Sequence, residues 1–162
     1  MEPTLPATRE FLRHTLATLA YRATKTLRDA PFSFAVFKAD ENSRTPVEIL
    51  AHLGDLMDWS LTLVKGAERW HDSPPLAWDA EVARFCEALK KLDDHLAGDA
   101  HIACPVPKLF QGPIADALTH VGQMAMLRRL SGAPIKGENY YKAEIVAGNV
   151  GMDQSPPRRL FA

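Results

Sequence analysis

Apolar side chains recur at spacings of three and four in four stretches of the chain, and each stretch predicts an amphipathic helix. The first runs from about Pro6 to Asp29. Leu12, Leu16, Leu19, Ala20, Ala23 and Leu27 form its stripe, and Glu10, His14, Tyr21 and Lys25 fall on the other side. Thr8 is placed to cap its start and Pro31 to end it. The second has a stronger start. Thr45 as N-cap, Pro46 at the first helical position and Glu48 three residues on make a capping box, and the helix runs to about Lys65, with Gly66 as its stop. On a wheel of ~100° per residue its apolar positions fill an arc of roughly 200°, enough to face two neighbours. His52 lies inside that arc near one border, beside Trp59 and Leu63, whereas Asp55 and Asp58 lie outside it and read as solvated.

The third helix spans about Asp79 to Leu96, with Val82, Phe85, Leu89, Leu92 and Leu96 on one face. Glu81, Arg84, Glu87, Lys90, Lys91 and Asp94 form an opposite face of the kind water covers. The fourth opens at Pro113, runs to about Leu130 and stops at Gly132. It is apolar or small in almost every direction, the pattern of a buried helix, yet Asp116, His120 and Gln123 share one side of it.

Between these helices the chain reads as loop. Phe32, Phe34 and Phe37 are expected to tuck against the bundle, since a lone strand there would lack a partner. Ser73, Pro74 and Pro75 mark the second connection, and the chain from Gly98 to Pro113 reads as the third. After Gly132 the pattern lapses into an extended tail wrapping the bundle, with Gly-Glu-Asn-Tyr-Tyr (137–141) at its centre. The expectation is one all-α domain over 1–162: a four-helix bundle from about 7 to 132 and a tail from about 133 to 162.

Composition narrows the function. A chain of 162 residues with 46% apolar and 24% charged residues can bury a core unaided. A net charge of -1 with scattered basic residues gives no footprint for nucleic acid. No apolar run reaches the ~18 residues of a membrane span. The start, MEPTLPATREFLRH, lacks the pattern of a signal peptide, so a cytoplasmic protein is expected. Cys86 and Cys104 form no CxxC pair; a disulfide between them is neither required nor excluded.

The candidate chemistry lies on the second and fourth helices. Asp116 and His120, four apart, stack on one face and are able to share a metal ion. A carboxylate on so apolar a helix is costly unless it is paired or coordinates something. With His52 from the neighbouring helix they make a two-histidine, one-carboxylate set with open positions, the pattern of a catalytic metal site. Each residue also has a plainer reading: His52 as a core histidine, and Asp116–His120 as an internal hydrogen bond near a helix start. Glu138, Tyr140 and Tyr141 would reach the site only if the tail folds over it, supplying a fourth ligand or a substrate contact; otherwise the tyrosines anchor the tail. Arg128 is a further candidate substrate contact. His14, His71, His95 and His101 read as surface residues, and Cys86 has no adjacent base that would make it a nucleophile.

Two of these stretches resemble a known family. TPVEILAHLGDLMDW (45–59) resembles the second helix of the DinB/YfiT-like metalloenzyme superfamily, in which the histidine at the place of His52 is a metal ligand. ALTHVGQMAMLRRLSG (117–132) resembles the fourth helix of that superfamily, with its HxxxHxGQ pattern. His120 takes the place of the second histidine and Asp116 that of the first, a departure from the usual three histidines. The resemblance implies a DinB-like bundle, often dimeric, holding one divalent ion, nickel or zinc foremost and iron next. It implies a small-molecule or thiol substrate and a metal-dependent thiol S-transferase or hydrolase. The competing expectation is a non-catalytic bundle, binding a small molecule or serving as a dimeric scaffold, with a degenerate metal site.

Overall fold

The computed structural model describes residues 5–162 and is helical, with no strand longer than a single bridge among those residues. Four long helices carry the fold: α1 (Leu5–Leu27), α2 (Pro46–Val64), α3 (Trp78–Ala97) and α5 (Ala115–Leu130), with a single helical turn, α4 (Val106–Leu109), before the last. Helices α1 and α2 each pack against both α3 and α5, so α1 lies diagonal to α2 and α3 diagonal to α5. Both α1–α2 and α3–α5 connections therefore cross the end of the bundle. The core between the helices is built from the expected stripes, including Leu12, Leu16 and Leu19 of α1, Leu50, Leu53 and Met57 of α2, Phe85, Leu89 and Leu92 of α3, and Ala117, Val121 and Met124 of α5.

The start of α2 follows the sequence signal. The Thr45 hydroxyl accepts from the Glu48 N–H at 3.4 Å and the Glu48 carboxylate accepts from the Thr45 N–H at 2.7 Å. At α1 the expectation fails: the helix is already formed at Leu5, so Thr8 lies within it and is not its cap. Asp29, in the left-handed region at φ 52°, reverses the chain just past its end. In the loop that follows, Phe34 is buried against Trp78 with ring centroids 5.7 Å apart and Phe37 packs on the core, but Phe32 is 97% exposed. A short 3-10 turn, Phe32–Val36, turns Phe34 inward and Phe32 out.

Two segments expected as plain loop are structured. Residues 106–114 form α4 and then a π-type turn, Phe110–Ile114, kinked at Gly112 (φ −86°, ψ −105°). This segment packs on α2, and just before it the Ala103 N–H donates to the Val64 carbonyl at 2.9 Å. It delivers α5 to the side of α2 that carries His52. Nor is α5 buried all round: Gln123, Met126, Arg129 and Leu130 are exposed along one side.

The tail lies against α1. Tyr21, placed by its pattern on the polar side, is 2% exposed, because the tail covers it. Its hydroxyl donates to Glu138 at 3.0 Å and Lys25 donates to the other carboxylate oxygen at 2.8 Å. Gly137 and Glu138 pair with Leu160 and Phe161 in a two-residue antiparallel contact.

Candidate metal centre

His52 and His120 meet across the α2–α5 contact, with ring centroids 4.7 Å apart. Asp116 stands one turn before His120, and one donor atom from each of the three lies within 4.8 Å of the others. The Asp116 carboxylate touches both rings: Oδ2 is 3.4 Å from His52 Nε2 and Oδ1 is 3.3 Å from His120 Nδ1. The two rings are mostly covered, with side chains 17% and 12% exposed, whereas the Asp116 side chain is 45% exposed. The group thus has two sheltered imidazoles at its base and a carboxylate facing water.

Three features fit a divalent cation. First, His120 Nδ1 lies 2.9 Å from the backbone carbonyl of Asp116. A carbonyl only accepts, so Nδ1 carries a proton, and in the neutral ring the lone pair then sits on Nε2, the arrangement that orients ligating histidines. Second, burial, ahead of the opposing Asp116 hydrogen bond, pushes the His52 pKa below its ordinary value, which favours the neutral, ligating form. Third, 3.4 Å from His52 Nε2 to Asp116 Oδ2 is long for a charge-assisted hydrogen bond. It is close to the ~3.3 Å that separates two donors bonded at ~2.0–2.1 Å to one tetrahedral ion.

The connection between α2 and α3 covers this group. It runs back along α2, with the Ala67 N–H bonded to the Thr62 carbonyl and the Ser73 N–H and hydroxyl both bonded to Asp55, at 2.8 and 2.7 Å. That path sets Trp70 against His52 and Trp59, at centroid separations of 5.7 and 5.6 Å. Nothing in the periodicity of a Pro-marked loop marks Trp70, and the sequence reading did not single it out.

Asp55, expected at the surface, is buried. Arg84 of α3 is the reason. Its guanidinium donates to Asp55 at 3.0 Å, to Glu81 at 2.9 Å and to the Ala51 carbonyl at 2.6 Å, so Glu81 and Asp55 are drawn under cover as ion pairs. Asp55, Asp58 and His71 form a second group whose donor atoms lie within 4.8 Å and could hold a metal ion. Arg84 Nη1 already stands 3.0 Å from Asp55 and 3.5 Å from Asp58, so a protein cation fills that role.

The remaining candidates are held elsewhere. Glu138 is engaged by Tyr21 and Lys25. Tyr140 packs edge-on to Tyr21 beneath the Arg22 guanidinium, 3.9 Å away, and anchors the tail, while Tyr141 points to solvent. Arg128 caps the end of α1, donating to the Thr26 and Arg28 carbonyls at 3.0 and 3.1 Å. His14 is exposed as expected. Both cysteines are free thiols, and burial raises the pKa of each, the opposite of what a nucleophile needs.

Among the described residues no helix is long and apolar enough to cross a membrane. Comparison of the chain with protein-family models, curated proteins and solved structures finds no match to any of them.

Proposed function

We propose that the protein is a DinB-like metal-binding bundle that holds one divalent ion on His52, Asp116 and His120 and acts on a small molecule as a thiol S-transferase or hydrolase. The observation that carries this reading is the convergence of the three donor atoms, with His120 held by a backbone carbonyl in the tautomer that leaves Nε2 free. The DinB-like assignment rests on the resemblance of 45–59 and 117–132, and with it come the proposals of a homodimer and of nickel or zinc, with iron as the further choice that two histidines and a carboxylate suit.

A divalent ion bound there lowers the pKa of a coordinated thiol or water. The two imidazoles hold the sheltered side. Asp116 completes the set from the open side and reduces its net positive charge. Trp70, itself 41% exposed, packs edge-on against the His52 ring. Burial raises the pKa of both Cys86 and Cys104, so this reading takes the thiol of any transfer from the substrate.

The competing reading is a bundle without catalysis, in which Asp116 is simply an acceptor shared by two histidines. Its contacts at 3.3 and 3.4 Å favour that reading to the extent that they occupy both rings. Elemental analysis of tag-free protein separates the two. About one equivalent of nickel, zinc or iron, lost in both His52→Ala and His120→Ala, is the expected result. No metal, even after soaking, sinks the metal centre and leaves the bundle as a scaffold or carrier.

A further inference from the structure

A cavity of about 610 Å³ opens between the C-terminal half of α2 and the segment that leads into α5. That volume is in the range of sites that take small organic ligands. Trp59, Leu63, Leu109 and Pro113 give it apolar walls, and Glu68 and Lys108 stand at its exposed rim. Its far wall includes Gly112, the kink of the π-type turn, where an added Cβ would meet no atom within 4 Å. Irregular turns of this kind recur at functional sites.

The cavity and the metal centre lie along the same two helices, although none of His52, Asp116 and His120 lines the cavity. Trp59 stands two turns past His52 on α2, and Pro113 stands one turn before Asp116 on the way into α5. The indole of Trp59 also touches Trp70, which touches His52, so one line of rings runs from cavity to centre.

A second observation says what the cavity would take. Trp59 Nε1 is buried and meets no hydrogen-bond acceptor among the described residues. A buried donor without an acceptor is costly and rare in folded proteins. Apolar walls beside an unmatched N–H fit an apolar body bearing one carbonyl-type acceptor.

We infer that this cavity is the substrate pocket and that it accepts a small apolar carbonyl compound, an amide, ester or carboxylic acid derivative, whose oxygen is reached by the Trp59 N–H through a small turn of the indole. This rests on the metal-centre reading and deepens its hydrolase arm, since a carbonyl carbon is an electrophile that water activated by a divalent ion attacks. Its test is read on metal-free protein, so that the pocket and the metal centre fail separately.

The full chain is labelled with ¹⁵N, and the indole N–H signals of its three tryptophans are followed by NMR. Trp59→Phe identifies the Trp59 signal by its loss. Phenylacetamide is titrated first, then ethylbenzene, which offers a similar body and no acceptor. The expected result is a saturable shift of the Trp59 signal with both probes, displaced further downfield by phenylacetamide than by ethylbenzene, as a hydrogen bond to the indole N–H requires. Trp59→Phe keeps the wall and removes the donor, and is expected to weaken phenylacetamide about fivefold to tenfold while leaving ethylbenzene unchanged. The proposal is overturned if the Trp59 signal stays fixed to the solubility limit of phenylacetamide, or if both probes move it alike.

Discussion

The Nδ1 of His120 lies 2.9 Å from the carbonyl oxygen of Asp116, so the backbone of one candidate ligand orients the ring of another. The side chain of Asp116 can change while this backbone contact to His120 stays in place. Asp116→Asn is therefore expected to leave the fold and the His120 tautomer intact while removing the charged donor. Metal affinity should fall at least ~10-fold, the lower end of what even supporting groups contribute at such sites. Competition against a chelating indicator dye measures it, and an unchanged affinity would remove Asp116 from the ligand set.

Asp55 connects the cover of the site to the bundle. It accepts from Ser73 twice, lies 3.4 Å from His71 and pairs with Arg84, all while 3% exposed. Removing one member of a sheltered ion pair strands the other. Asp55→Asn is expected to destabilise the protein by ~3 kcal/mol, the lower figure because Arg84 keeps Glu81 and is itself partly exposed. Urea unfolding gives the value, and hydrogen exchange at the Ser73 amide should quicken as the cover loosens. A loss below ~1 kcal/mol would mean that water screens the pair.

How far the sequence reaches is clearest from these residues. Periodicity placed the four core stripes and set Asp116 and His120 on one side of a helix, because spacing along a helix dictates which side chains share a side; that His52 faces them from the second helix was an expectation that spacing alone does not give. The same rule misassigned Asp55, Glu81 and Tyr21. Each is buried by a partner distant in sequence: Arg84 for the first two, Glu138 and the tail for the third. A polar residue on the polar side of a helix carries no mark of a partner that only the tertiary fold supplies. Trp70 was invisible for a related reason, since a loop has no period to read.

Gly54 tests whether Arg84 is as tightly placed as its contacts imply. A Cβ at Gly54 would come within 2.7–2.9 Å of the Cζ, Nη1 and Nη2 of Arg84. Helix propensity favours alanine there by ~1 kcal/mol. The guanidinium cannot move aside without giving up Asp55 or the Ala51 carbonyl. Gly54→Ala is expected to lower stability by ~1 kcal/mol net. In an Arg84→Ala background the same change should instead raise stability by about the propensity difference, and a double-mutant cycle reads the sign reversal. Additive effects would show that Arg84 has room to shift.

Tyr21 gives the tail a signature in alkaline solution. Burial, then the hydrogen bond to Glu138, pushes its pKa from an ordinary 10.0 up to about 12. A phenol whose folded pKa is raised binds its proton more tightly in the native state. Its contribution is therefore complete below pH 10, where folded and unfolded forms are both protonated, and is lost as pH climbs through about 12. The tail is expected to lift from α1 over that window, because a tyrosinate beside the Glu138 carboxylate repels it. Absorbance at the tyrosinate band should show a late ionisation step near pH 12. In Tyr21→Phe the late step should vanish, and the exchange of the tail amide of Asn139, bonded to the Arg159 carbonyl, should become insensitive to pH across the window once the intrinsic rate is divided out. A late step that survives in Tyr21→Phe would assign it to another tyrosine and detach the tail from this pair.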